Sequence, residues 1–371
     1  MKKSFLMFAA VAAFVACSQN EKLNDIEQPE VLIGFSNAHI GKPTKAGEII
    51  GKAGLEQNGN TMEVWGWKTT NTPSANTISQ VFNNQTVTYT SGSSQATTKW
   101  VYSPLKYWDM DATDYSFYAV SPYSSKWAIN ASTRIITATG IENVQILEDK
   151  NGASAVTSSN TTAIDYLVSE IVSKTPKGNA SDGDVSFTFY HILSKLTVKV
   201  KTSDTFNNTG STYPQIKLTG LSIKLQGMCP NYTQKTAGAI TANATSGDTW
   251  AGTAMSETSY TCFATGGSIT DLLLTNDADD GEIASYLIAP TATGGTPATY
   301  TYKATVSYEI YYSATEIEPF TATDKSIGTL TSFAQNTDNT LTITIDPKAI
   351  YFDVTTVENR STGTAGTLTV E

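Results

Sequence analysis

Short runs of alternating apolar and polar residues, separated by turn formers and not by helices, limit what this chain can fold into. Val31, Ile33 and Phe35 alternate with Leu32, Gly34 and Ser36. Strand-like runs recur at Met62 to Trp67, Val81 to Tyr89, Tyr115 to Val120 and Val185 to Phe189. They continue at Lys195 to Lys201, Ile216 to Leu225, Ser285 to Ala289, Tyr300 to Tyr312, Leu341 to Ile345 and Ile350 to Val357. A period of two places successive side chains on opposite faces of a sheet. Helix starts are rare, and the clearest helix candidates are short, at Ile164 to Val172 and His191 to Ser194. Strands without alternating helices favour all-β sandwiches over parallel α/β folds. No self-similarity at a period of ~20–50 residues is visible, which sets aside solenoids and propellers.

Composition narrows the function classes. Of 371 residues, 93 are Ser or Thr, 16% are charged and two are His; the net charge is −10. A charged fraction below the usual ~25% argues against a helical cytosolic enzyme or a coiled coil. The acidic balance and the lack of a basic run disfavour nucleic acid as a partner. Two histidines leave few routes to acid–base or metal chemistry.

The N-terminus assigns the compartment. Lys2 and Lys3 precede an apolar run from Phe5 to Ala16, too short for a membrane helix of ~20 residues but suited to a signal peptide over residues 1–16. Phe14-Val15-Ala16 before Cys17 reads as a lipobox, making Cys17 the lipidation site, with Ser18 to Glu30 as a polar tether. Membrane attachment is then through the lipid alone, and no other stretch reaches ~18 apolar residues. The softest boundary in the remainder lies near Lys174 to Asp184, rich in turn formers, and divides the chain into a domain over 46–190 and another over 191–371.

Catalytic and ligand-binding patterns are sparse. The chain lacks C-x-x-C, H-E-x-x-H, G-x-S-x-G and Walker A signatures, so no catalytic residue, metal site or cofactor is assigned. His39 and His191 each stand alone and read as structural residues. Asn276 to Glu282 resembles a calcium loop, but placing Gly281 at position six puts Ala278 and Leu287 where oxygen ligands are required. Asp109, Asp111 and Asp114 can serve a glycosidase only across a cleft, and turn roles are commoner. Cys229 and Cys262 form an even pair in an oxidising compartment: either a disulfide or two separate buried thiols. Trp65, Trp67, Trp100, Tyr107, Trp108 and Trp127 suit either a sheet core or a sugar-stacking platform, the latter implying a surface glycan-binding lipoprotein.

The order of segments carries a resemblance. After Cys17 come a tether, a strand and the basic loop Pro43-Thr44-Lys45-Ala46, then Val64-Trp65-Gly66-Trp67. Tyr107-Trp108 leads into Tyr115-Ser116-Phe117-Tyr118-Ala119-Val120-Ser121-Pro122. Asp165-Tyr166-Leu167-Val168 follows, and then Phe187-Thr188-Phe189-Tyr190-His191-Ile192-Leu193-Ser194-Lys195-Leu196. In this series the chain resembles the fimbrillin family, Mfa-like lipoprotein subunits of type V pili. The resemblance implies two tandem transthyretin-like Greek-key β-sandwich domains and assembly with other pilus subunits, with a surface ligand for the pilus. It further implies an outer-membrane lipoprotein precursor cut between Lys45 and Ala46, although the family more often carries Arg there. That cut would remove residues 17–45 with the strand of Val31, Ile33 and Phe35. A donor strand from a neighbour would then fill the emptied edge by β-augmentation. Ile350, Phe352 and Val354, or Leu368 and Val370, alternate as a donor must. A final hairpin completing its own sheet is the alternative for either set.

Overall fold

The computed structural model describes residues 31–36, 39–40, 55–72, 75–91, 100–151, 163–176, 184–204, 213–235, 248–265, 272–276, 281–293, 299–328, 330–346 and 349–358. Cys17, Lys45, Ala46, Leu368 and Val370 lie outside them. The chain begins with strands β1 (His39–Ile40), β2 (Thr61–Thr72), β3 (Ala75–Tyr89), β4 (Trp100–Val101) and β5 (Ala112–Ser121). Next are β6 (Trp127–Ile129), β7 (Ile136–Ala138), β8 (Val144–Asn151), β9 (Leu167–Ser169), β10 (Val172–Lys174) and β11 (Thr188–His191). Beyond them run β12 (Ser194–Thr202), β13 (Gln215–Leu225), β14 (Asn231–Thr233), β15 (Thr249–Ala251), β16 (Thr258–Ala264) and β17 (Leu272–Leu273). The last are β18 (Glu282–Ile288), β19 (Lys303–Tyr311), β20 (Ile317–Ser326), β21 (Thr337–Asp346) and β22 (Ala349–Glu358).

The all-β expectation holds: every named element among the described residues is a strand, and Leu55 alone is helical. Both helix candidates are corrected. Ile164 to Val172 contains β9, antiparallel to β11 and β5, with Val168 opposite both Tyr190 and Val120. Residues 192 and 193 are the link between β11 and β12. Tyr166, Leu167 and Val168 are all buried, but Leu167 packs in one cluster and its two neighbours in another, which is strand parity.

Three sheets result. The first runs β1-β11-β9-β5-β2-β3-β4, with β10 also on β5. The second runs β20-β19-β13-β16-β8-β18-β12-β21-β22, with β17 also on β13. The third is β15-β14-β7-β6. Pairing is antiparallel except for β1 with β11, β12 with β21 and β16 with β8. The strands from β12 onward all lie in the second and third sheets, and β8 joins the second from upstream.

Both faces of the first sheet are covered. Met62 and Val64 of β2, with Tyr115, Phe117 and Ala119 of β5, face one aromatic-rich cluster. Trp65, Trp67, Tyr118 and Val120 face the larger cluster, shared with the second and third sheets. Sheets buried on both faces lose the simple in–out alternation, which explains the unbroken burial of Met62 to Trp67. In the turn between β6 and β7, Arg134 adopts a left-handed conformation (φ 60°) and its guanidinium lies 3.7 Å from the Trp67 ring centre. That cation–π contact ties the third sheet to the first.

Glu63 is the exception within this packing. It is fully buried on β2 opposite Val120, and burial pushes its carboxyl up to about 7 against the opposing effect of the Ser124 backbone. A carboxyl raised on folding holds its proton more tightly when folded than when unfolded. Stability is therefore greatest below the unfolded value near 4.5 and declines until pH passes about 7. Glu63→Gln is expected to remove this decline, leaving the variant more stable than the parent at pH 8 by about 3 kcal/mol. Urea denaturation of both chains across pH 4 to 8 measures the difference, in which the other carboxyls cancel.

Candidate functional site: the seat of the N-terminal strand

Residues 31–36 lie between two other segments and bond to both. On one side the Ile33 amide donates to the Lys106 carbonyl (2.9 Å), and the Trp108 amide donates to the Val31 carbonyl (2.8 Å). On the other, the Val185 amide donates to Gly34 (2.8 Å), and the Ser36 amide donates to Val185 (3.0 Å). Bridges at Leu32–Tyr107 and Phe35–Trp100 are antiparallel, whereas Phe35–Val185 is parallel. The parallel pairing continues as β1 beside β11. Since β4 and β11 are the two ends of the remaining first sheet, residues 31–36 and β1 link its edges and close the circuit of strands.

Side-chain parity is the one the sequence predicts. Ile33 and Phe35 are fully buried and Val31 half-buried against the same cluster, whereas Leu32 is 38% exposed. Phe35 fills an aromatic box. Its ring centre lies 5.5 Å from Phe82, 5.4 Å from Tyr102, 6.4 Å from Phe117 and 5.9 Å from Phe187, edge-on to the first three and stacked on the last. Such pairs contribute roughly 0.5–1.5 kcal/mol beyond the area they bury. The Tyr102 hydroxyl donates to the Ile33 carbonyl (2.7 Å), and burial pushes this phenol up to about 12.

The other sequence-derived residues fall elsewhere. Ile350, Phe352 and Val354 lie on β22, which pairs antiparallel with β21 from end to end and packs half-buried against the larger cluster. Cys229 and Cys262 are buried thiols not joined in a disulfide, so the disulfide alternative is not realised. Each has its own surroundings: Cys229 lies over the Gly227 carbonyl, and Cys262 accepts the Tyr286 hydroxyl at 3.3 Å. Trp65, Trp67, Trp100, Trp108 and Trp127 are core residues and only Tyr107 of that set is exposed, which removes the sugar platform. Asp109 binds Lys68, whose ammonium holds its carboxyl below the usual range, and accepts the Asp111 amide in a tight turn. Asp114 accepts the Thr69 and Thr113 hydroxyls. The acidic run 277–280 lies outside the described residues. Among the described residues no cluster of His, Cys, Asp and Glu suits a metal.

One pairing escapes sequence reasoning. His191 Nδ1 lies 2.8 Å from Asp165 Oδ2, both residues buried. The register of β9 against β11 sets His191 opposite Leu167, which brings Asp165 within reach. The only signal in the sequence is that both residues stand in the blocks that carry the family resemblance. With neither group open to solvent, the pair staples the two strands.

Comparison with known proteins defines the class. A fimbrillin-like family model matches residues 49–362, and the chain belongs to that family. It is 28% identical over 213 residues to the fimbrium subunit Fim1C of Phocaeicola vulgatus, a match covering 54% of this chain and 51% of that protein. The chain thus spans about half the length of the curated relative it matches. Among solved structures, a fimbrial protein from Bacteroides vulgatus superposes with a TM-score of 0.44 at 16% identity, covering 87% of this chain and 99% of that one. A proposed cell adhesion protein from Bacteroides uniformis gives 0.40 at 15%, covering 90% and 98%.

The seat generates a local stability prediction. Phe35→Ala is expected to cost about 3–5 kcal/mol at this site, as for other buried Phe truncations. Phe35 belongs to a short segment bonded at its edges to the 100–108 stretch and Val185, so the effect is expected to be local. The Trp108 and Val185 amides, which bond to residues 31 and 34, lose exchange protection by roughly 100-fold or more, while amides of β13 and β19 do not. Hydrogen–deuterium exchange resolved to single amides reads both.

Proposed function

We propose that this chain is the precursor of a fimbrial subunit, exported as a lipoprotein through Cys17 and matured by cleavage between Lys45 and Ala46. Its two β-sandwich units are read as transthyretin-like, and its role as adhesion and biofilm support within a type V pilus on the cell surface. The carrying observation is the position of residues 31–36 between the stretch 100–108 and Val185, bonded on both sides, with His39–Ile40 beside β11 and all of them upstream of Lys45. Cleavage leaves this segment held only by non-covalent contacts. Its departure would leave two unpaired strand edges and the pockets of Val31, Ile33 and Phe35, each worth roughly 1.5–3 kcal/mol when filled.

Such a groove takes a strand of like pattern from another subunit, with backbone bonds for affinity and alternate side chains for register. We place the donor within residues 350–371. Because Ala349–Glu358 already pairs with β21, the residues after Glu358 suit the task better, with Leu368 and Val370 as same-face anchors. The aromatic residues offer no support to a glycan-binding role, since five of the six considered are in the core.

Mild trypsin treatment of the purified chain tests the scheme. The expected product begins at Ala46 by N-terminal sequencing and then forms head-to-tail polymers stable enough to give a ladder on gels. A chain lacking 359–371 should be trimmed identically and remain monomeric. A trimmed full-length product that stays monomeric, or polymers from the truncated chain, would refute the donor assignment.

A further inference from the structure

The strands at the free edges of these sheets differ in how they are protected. β20, at one end of the second sheet, carries Glu318, Pro319, Asp324 and Lys325, and β22, at the other, carries Asp353. Charges and proline on an edge are the usual protection against pairing with another chain. β3 has neither. All fifteen of its residues are uncharged and non-proline, and the run from Thr69 to Thr98 contains no Asp, Glu, Lys, Arg or His.

Its outer edge is also open. β4 pairs with β3 only at Thr88 and Tyr89, and Gln85 reaches Ser103 through its side chain alone. Among the described residues no strand pairs with the outer edge from Asn76 to Val87. Register shifts against β2 bend the middle of β3, where Asn84 has φ 52°. From Asn76 to Gln80 the register is unbroken, with Gln80 opposite Trp67 and Asn76 opposite Asn71. At the centre of this regular stretch stands Ile78, 61% exposed and the most exposed large apolar side chain among the described residues.

We propose that this edge binds a second copy of the chain. Asn76–Gln80 pairs antiparallel with the same segment across a two-fold axis, setting Ile78 against Ile78 and Asn76 against Gln80. A two-fold perpendicular to the joined sheet keeps each residue on its own face, so facing residues must share parity; a centre at Ile78 satisfies this. The occupant follows from charge. Two molecules each of net charge −10 repel on average, and this uncharged stretch lets them approach without opposing like charges. Identical strands meeting about a two-fold are self-complementary and close at a dimer.

The pairing uses neither the seat of residues 31–36 nor cleavage at Lys45, so the uncut full-length chain tests it separately from the proposed assembly. Sedimentation equilibrium is expected to show a reversible dimer. Ile78→Lys and Ile78→Asp should each weaken it by about tenfold or more, since each sets like charges directly opposite. An equimolar mixture of the two should dimerise again, now with opposite charges facing. Both variants alter an exposed side chain, and unchanged circular dichroism and melting confirm that they fold. A parent chain monomeric at every concentration, a dimer indifferent to Ile78→Lys, or a mixture that stays monomeric would each overturn the proposal.

Discussion

Backbone pairing on both sides of residues 31–36 is the constraint on which the first sheet depends. Without it, β4 and β11 are separate ends of an open sheet; with it, the strands form a closed circuit around the cluster of Phe35, Phe82, Phe117 and Phe187. Closure covers the unpaired edges at β4 and β11, and among the described residues it leaves open the stretch of β3 from Asn76 to Val87. Here the closing element comes from the part of the chain that precedes Lys45. The first sheet is therefore completed by residues that a single cut in the peptide chain after them would separate from the rest.

The second sheet is organised differently. β12 has β18 on one side and β21, parallel to it, on the other, and β22 continues the layer. Buried polar groups secure this region. Asn339 donates to the Ser194 hydroxyl and the Lys195 carbonyl, and its own oxygen accepts the Thr356 hydroxyl. A second group gathers on Asp248, which accepts the Tyr232 hydroxyl and the Gln335 amide, while the Trp250 indole donates to Gln335. Satisfied buried networks of this sort specify one arrangement of strands. They make the second sheet a fixed frame, in contrast to the short closing segment of the first.

The strands most legible in the sequence are those with one face buried. β13, β19 and β21 alternate buried and half-buried positions along their lengths, as their residue patterns predict. Val31, Ile33 and Phe35 were readable for the same reason. β9 was not, because Tyr166, Leu167 and Val168 are buried on both faces and so lack period. β20 failed oppositely: exposed on both faces, it has no apolar stripe to read. The staple of Asp165 and His191 depends on strand register, which no local spacing reveals. The fate of Cys229 and Cys262 likewise turned on their surroundings, and parity alone could not separate core tryptophans from a platform.

The position of β8 bears on how such a chain can be made. It lies upstream of β9 and β11 in the chain, yet its partners are β16 and β18, whose residues are synthesised more than a hundred positions later. A ribosome or export channel delivering the chain from its N-terminus presents β8 long before either partner exists. The first half therefore leaves β8 unpaired as it emerges, and both neighbours of β8 are present only when residues to Ile288 are available. Folding of the two halves is coupled in time by that one strand.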